Sequence, residues 1–431
     1  MKAGTRRWDY LIVTASNEAQ GRAYERQLSL RRDLGLLSDV REAVVVADPG
    51  GKRVGSGGST LYCLLELLRR RLGSERVASS RRFWEQVLGA LRILIVHAGG
   101  DARRLPAYGP CGKAFVPVPG ENDGAVCLSL FDRQLPIYLA LPAPERGRGQ
   151  VVIASGDVLL RFDPAEVTFS GQGITGLACY APPEQASRHG VFCPAGGDGV
   201  RLYLQKPSIE RQRAEGAVNP YGQACLDIGV MQFDAGTAVQ LLRLFGARVD
   251  KDGRFALAGK RGRAVMERGL DFYREVCCAL GGQASLDHYA TTALESGSKW
   301  TEAMLAELFE SLSPIPFHMQ LLKRCDFFDF GTSRAIISSG TRLLQEDRGV
   351  SHLQTYLDIN NAITPGGAVR GTASWVEGCR IDSLLELGGS NVVVGVDVDE
   401  PLTLPSGMCL DVICLLYTSD AADELDGVDL G

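Results

Sequence analysis

Missing from this chain of 431 residues is any apolar run long enough to cross a bilayer. A membrane-spanning helix needs roughly 20 consecutive apolar residues, and the stretch 11–14 is too short even for the core of a secretion signal. A cytoplasmic protein is therefore expected. Charge of one sign is also scarce: 46 Lys and Arg stand against 51 Asp and Glu, for a net charge of -5. Without a basic field the chain has no footprint for nucleic acid, although a nucleotide is a small enough anion for a local cluster of Arg and Lys to hold. None of the 12 cysteines forms a C-x-x-C pair. Cys127, Cys179 and Cys225 lie inside apolar segments and the adjacent Cys277 and Cys278 in a helical pattern, so they read as small buried hydrophobes rather than zinc or redox centres.

What the chain does carry is centred on residues 97–119, HAGGDARRLPAYGPCGKAFVPVP. They follow residues 91–96 (LRILIV), an aliphatic run of strand length suited to burial on both faces. A buried strand running into Gly99 and Gly100 lets the backbone bend sharply and bring bare N–H groups to a ligand, a turn that suits phosphate. Arg103, Arg104 and Lys113 follow on a loop stiffened by Pro106, Gly109, Pro110 and Gly112. Three cations beside a strand end point to a site where a polyphosphate is gripped and its charge neutralised.

The length implies two or three domains. Residues 9–14 read as a strand, 18–34 as a helix with Ala23, Leu30 and Leu34 on its half-buried face, and 43–47 as a second strand, a βαβ start that favours an α/β fold with a parallel sheet. Residues 48–60 are rich in glycine and enter a helix carrying the stripe Leu61, Leu64, Leu65 and Leu68. Glycines feeding a helix start make an anion site from N–H groups and the helix dipole. The stretch is neither a Walker loop, lacking Gly-Lys-Ser/Thr, nor a dinucleotide fingerprint, having Thr60 where the third glycine belongs; a bare linker is the alternative. A helix over 128–141 is expected to kink or break at Pro136. Residues 151–158 read as a buried strand ending in Gly156-Asp157, where open α/β sheets place a metal ligand, although such a pair also serves in plain turns. Residues 249–262 read as an exposed excursion and 264–280 as a helix. Beyond about 350 come short strands separated by Gly, Ser and Pro turns, a β-solenoid-like or small sandwich region for packing and oligomerisation. Residues 416–431 turn acidic and lose apolar period, the mark of a frayed or non-native end.

In this order the motifs resemble the sugar-nucleotide pyrophosphorylases, where an apolar strand leads to an A-G-G-type turn, an Arg-Leu pair and a Lys before a Pro-containing strand. Ala98-Gly99-Gly100, Arg104-Leu105 and Gly112-Lys113 fill those places. The usual Gly-Thr before the Arg is Ala102-Arg103, and the usual Pro before the Lys is Gly112, departures shared by the L-fucose-1-phosphate guanylyltransferase branch. That branch also carries G-S/A-G-G-x-T, matched by residues 55–60, and H-G-V-F, matched by 189–192.

The resemblance implies an α/β, Rossmann-like nucleotidyltransferase domain with a mixed, mostly parallel sheet over 1–350, the truncated start of a β-solenoid domain over 351–415, and a disordered or non-native tail over 416–431. It implies transfer of GMP from GTP to L-fucose 1-phosphate with Mg²⁺, giving GDP-L-fucose and pyrophosphate. Gly55, Gly57, Gly58, Ser59 and Thr60, with Gly99, Gly100 and Arg103, would hold the nucleotide; Arg104 and Lys113 would take charge on the β- and γ-phosphates. Asp157 and, in the late D-x-G-T element, Asp329 would hold the metal. Lys206, in a Gln205-Lys206-Pro207 counterpart of the superfamily's E-K-P, would meet the sugar phosphate, with His189 and Gly229 bordering nucleotide and sugar. For His189 a structural role, and for Lys206 a surface role, are the alternatives. Bifunctional relatives continue into a fucokinase domain, so a fused or separate kinase is the expected partner. Rival functions are a pyrophosphorylase using another hexose 1-phosphate or UTP, a sugar kinase, and a nucleotide sensor without catalysis.

Overall fold

The computed structural model describes residues 7–72, 80–100, 102–109, 112–119, 128–145, 147–250, 254–348 and 355–412. The expected tail over 416–431 and Cys127 lie outside them. The chain forms two compact units: residues 1–102, 110–116 and 129–329 make the first, and 103–109, 117–128 and 330–431 the second.

The strands of the first unit are β1 (Trp8–Ala15), β2 (Val40–Ala47), β3 (Arg92–His97), β4 (Gln150–Ser155), β5 (Val158–Arg161), β6 (Ile174–Ala181), β7 (Gly190–Gly196), β8 (Gly199–Gln205), β9 (Ala224–Phe233), β10 (Ala247–Val249), β11 (Phe255–Leu257), β12 (Phe317–Leu321) and β13 (Asp326–Asp329). Nine of them form one mixed sheet ordered β2-β1-β3-β4-β9-β6-β12-β8-β7, and a further β7–β9 pairing closes its last five strands into a barrel. β1 to β4 are parallel, as the βαβ start requires; β9 enters antiparallel to both β4 and β6. The aliphatic run of β3 is buried on both faces: Ile93 and Ile95 join one core, Leu94 and Val96 the other. β5 and β13 pair separately, as do β10 and β11, the first ending where the expected excursion begins and the second lying inside it.

Helix α1 (Glu18–Asp33) is capped by Asn17, whose Oδ1 accepts from the Gln20 amide at 2.9 Å. Its buried face is not the one expected. Leu30 and Leu34 are exposed, and the helix turns Gln20, Gly21, Tyr24, Leu28 and Arg31 inward. Arg31 masks the periodicity: its guanidinium is buried, donates to Asp132 Oδ2 at 2.6 Å, and lies over the Phe115 ring at 5.0 Å. Helix α2 (Gly55–Leu72) buries the leucine stripe as read, and α3 (Arg81–Gly89) follows it. Helix α4 (Leu130–Leu139) carries Pro136 inside one unbroken element rather than ending there. Its start is secured by a capping box between Ser129 and Asp132.

The helix expected over 264–280 is interrupted. An α-helix covers Gly259–Arg268, Gly269 turns to φ +76°, and short turns over Phe272–Val276 and Cys277–Ala279 resume. The break has a use: Leu270 is freed to hydrogen-bond α2 and the residue before it.

In the second unit, the helix Ser333–Arg348 precedes three parallel sheets. Leu357 pairs with Trp375, Trp375 with Val392 and Val392 with Cys409, so successive strands of this sheet recur after about seventeen residues. Asn391 is fully buried at a corner, where its Nδ2 donates to the Pro405 carbonyl at 2.7 Å and its Oδ1 accepts from the Gly389 amide at 3.0 Å. Tyr108 belongs to this unit: its hydroxyl accepts from Trp375 Nε1 at 2.8 Å and donates to Glu377 Oε2 at 3.1 Å.

Candidate active site

In the parallel part of the sheet, β2 lies on one side of β1 and β3 on the other. The connections therefore diverge there, and the crevice beyond the carboxyl ends of β1 and β3 is where open α/β sheets bind ligands. Thr14, at the end of β1, accepts from the amides of Ala98 at 3.1 Å and Gly99 at 3.3 Å. Gly100 follows at φ +124°, and a Cβ there would lie 3.7 Å from the Arg53 guanidinium. Sequence reasoning passed over Arg53, yet the fold brings its charge beside this turn.

Tyr24, projecting from α1, ties the two ends of the signature stretch together. Its hydroxyl donates to the Ala98 carbonyl at 2.9 Å, and a Cβ at Gly112 would fall 1.6 Å from that hydroxyl oxygen. Gly112 also has φ +76°, whereas proline is fixed near about -65°. Here the usual proline is sterically impossible, which accounts for the departure at this position. The turn aims Lys113 at Asp157, with Nζ 3.3 Å from Oδ2, and both side chains are only partly exposed, 19% and 32%.

Asp157 is fixed from the other side by Ser155, whose Oγ donates to Oδ1 at 2.8 Å. Between them Gly156 gives its amide to the His97 carbonyl at 3.0 Å, and a Cβ there would sit 2.7 Å from that oxygen. So the Gly-Asp pair closes the ends of β3 and β4 together. Asp329 pairs with Val158 across the β5–β13 ladder, one residue from Asp157. His189 packs edge-on against Phe327, ring centroids 4.9 Å apart. Burial lowers its pKa, opposed by the charges of Asp329 and Asp157 and assisted by Lys206 and Arg188. The imidazole therefore favours its neutral form, and these charges share one neighbourhood. Lys206 donates its amide to the His189 carbonyl at 2.9 Å and stands at φ +50° directly before Pro207, a strained left-handed backbone of the kind that gathers at functional sites. Gly229, at φ +76°, brings its backbone against Ser155, where a Cβ would lie 3.1 Å from the serine Cβ.

The glycine stretch at 55–60 is used differently from the expected phosphate cradle. It is the first turn of α2 rather than a loop. The amides of Gly57 and Gly58 donate to the Leu270 carbonyl at 2.8 and 3.1 Å, and Leu270 in turn donates to Val54. A Cβ at Gly58 would meet Val54 at 2.8 Å, one at Gly57 would meet Leu270 at 2.9 Å, and one at Gly55, φ +77°, would meet the Leu270 carbonyl at 2.4 Å. Ser59 donates to the buried Asp48 carboxylate at 2.6 Å; Thr60 donates to the Ser56 carbonyl at 2.9 Å and lies 3.1 Å from His97 Nε2. The Gly57 and Gly58 amides and the Ser59 and Thr60 hydroxyls are thus engaged within the protein. No pattern near Leu270 could have announced this, because the partner lies more than two hundred residues away. Arg103 and Arg104 belong to the second unit, where the Arg104 carbonyl accepts from the Ser333 amide at 2.8 Å.

Among the described residues no cluster of three or more His, Cys, Asp or Glu suited to a metal occurs, and no helix is long and apolar enough to cross a membrane. Residues 85–425 match the family described as the fucose pyrophosphorylase domain. The chain is 32% identical over 244 residues to a bifunctional fucokinase/GDP-fucose pyrophosphorylase of Arabidopsis thaliana, covering 52% of this chain and 23% of that protein. It is 26% identical over 384 residues to the L-fucokinase/L-fucose-1-P guanylyltransferase of Bacteroides fragilis, covering 85% and 35%. To the human fucose-1-phosphate guanylyltransferase it is 27% identical over 350 residues, covering 76% and 54%. The chain thus spans about half, or less, of the length of the curated relatives it matches. With the glycine turn, the Gly-Lys and the Gly-Asp meeting at the parallel strand ends, and with the match running through most of its length, the chain belongs to the fucose pyrophosphorylase domain family.

Proposed function

We propose that this chain transfers GMP from GTP to L-fucose 1-phosphate, forming GDP-L-fucose and releasing pyrophosphate. The observation that carries the proposal is the Lys113–Asp157 pair at the carboxyl edge of β3 and β4, in a family whose relatives are named for this chemistry. In such a transfer the sugar-phosphate oxygen attacks the α-phosphorus in line with the departing pyrophosphate. The attacking group is already ionised, so catalysis is positioning plus neutralisation of charge.

In this scheme Lys113 neutralises phosphate charge, the Gly99-Gly100 turn lets the triphosphate approach, and His189, Lys206 and Gly229 border the sugar phosphate. The roles that the resemblance gives Arg103 and Arg104 stand as part of the proposal. The donor set at Asp157 suits Mg²⁺, which is commonly held by one or two carboxylates together with substrate phosphates. Asp157, with Asp329 one ladder position away, would hold it. When bound, the ion would supply charge stabilisation to the reacting phosphate. Asp157 otherwise keeps Lys113 and Ser155 in place.

The same reading takes the first domain, over 1–350, as a Rossmann-like nucleotidyltransferase, supported by the parallel order and the switch point. It takes 351–415 as the start of a β-solenoid, supported by the seventeen-residue recurrence. It places the protein in the cytoplasm, with a fucokinase activity as its supplier. Incubating the chain with GTP and L-fucose 1-phosphate and following phosphorus resonances tests it: pyrophosphate and GDP-fucose are expected. ADP formed from ATP and free L-fucose, with no pyrophosphate in the first reaction, would establish the kinase instead.

A further inference from the structure

Asp227 stands in the middle of β9, between β4 and β6, with apolar core on both faces of its strand. Leu226, Ile228 and Val230 enter one core; Cys225, Met231 and Phe233 enter the other. A carboxylate here is 4% exposed, and burial of this kind is unfavourable unless the group is fully bonded. Its hydrogen-bond donors are the Tyr203 hydroxyl on Oδ2 at 2.6 Å and the Gly229 amide on Oδ1 at 2.8 Å.

Both bonds end at the borders of the candidate site. On β6, Gly176 faces Met231 and Ala178 faces Asp227, so the one residue between them on β6 is matched by three on β9. The extra length is a bulge, and bulges re-aim groups beside functional sites. Asp227 closes it by holding the Gly229 amide two residues on, which turns Gly229 to φ +76° and seats its backbone on Ser155, the residue that orients Asp157. The second bond holds Tyr203 under Gly190: a Cβ at Gly190 would lie 1.8 Å from the Tyr203 oxygen and 3.1 Å from Asp227 Cβ. Gly190 directly follows His189.

Resting on the nucleotidyl-transfer reading, we propose that Asp227 is a positioning residue: through Gly229 and Tyr203 it fixes the sugar-phosphate border of the site relative to Asp157. It touches no substrate itself. Burial pushes its pKa up to about 6, while the Tyr203 and Gly229 hydrogen bonds pull it down. The titratable groups facing it are Tyr203, Tyr273 and Cys277, all pushed upward by burial and neutral at ordinary pH. Asp227 therefore favours the protonated form more than a free carboxylate does.

Asp227→Asn keeps the shape, and its amide oxygen can still accept from Gly229, but its NH₂ is a donor where the carboxylate accepted, so the buried Tyr203 hydroxyl loses its acceptor. The expected result is a kcat for GDP-fucose formation lowered at least tenfold, a raised KM for L-fucose 1-phosphate, and a KM for GTP changed less than twofold. The thermal midpoint at pH 8 should be equal or higher; a fall in the wild-type kcat below pH 6 is expected as Asp227 takes up its proton, and this fall should be flatter in the variant. Tyr203→Phe should show the same split in milder form. Full activity in Asp227→Asn, or equal changes in both KM values alongside a lowered midpoint, would overturn the positioning role. Absence of turnover in the wild-type chain would instead overturn the underlying function, so the two failures are distinguishable.

Discussion

Lys113 and Asp157 carry the proposed chemistry in the fewest atoms. Alanine at either should lower kcat at least about a hundredfold with the fold intact, the size of a lost transition-state electrostatic contact; steady-state pyrophosphate release and circular dichroism check both halves. Gly112→Ala should destabilise the protein by roughly 1–3 kcal/mol, since its Cβ would overlap the Tyr24 hydroxyl at a positive φ, an effect of the overpacking and strained-backbone kind. Urea unfolding reads it. Where Lys113 and Asp157 stand was legible, the first on a loop stiffened by glycine and proline and the second just past a buried strand, whereas Asp329 was placed by the family resemblance alone. Thr14, Tyr24 and Ser155 were not legible, because each contributes only one or two hydrogen bonds, which leave no spacing pattern.

Helix α2 shows where a local pattern is incomplete. Glycines before a leucine stripe read as an anion site at a helix start or as a bare linker, and neither reading includes the close approach of Val54 and Leu270. Gly58→Ala should accordingly lower stability by about 1–3 kcal/mol through overpacking, an expectation for thermal or chemical denaturation. His97, at the end of β3 and 3.1 Å from Thr60, has its pKa lowered from 6.5 to about 4 by burial. The unfolded chain takes up that proton first, so this group's contribution to stability is lost as pH falls from 6.5 towards 4. Asp227, raised from 3.8 to about 6, acts the other way, adding stability as pH falls through 6. Urea midpoints at pH 7 and pH 5 should therefore fall less in His97→Gln than in the wild type. An unchanged difference between the two pH values would contradict the buried neutral histidine.

For the molecule as a whole, the parallel start of the sheet and the short-strand texture near the end were both readable, since hydrophobic period and turn residues are local signals. The five-strand closure of the sheet and the membership of residues 103–109 in the second unit were not, because they depend on pairings between segments far apart in the chain. The central claim is a bond broken between the α- and β-phosphorus of a nucleoside triphosphate. Supplying GTP labelled at the α-phosphorus together with L-fucose 1-phosphate follows that bond directly. The proposed chemistry predicts label in GDP-fucose and unlabelled pyrophosphate in equal amount; label remaining in GTP, or appearing in free GDP without nucleotide sugar, would contradict it.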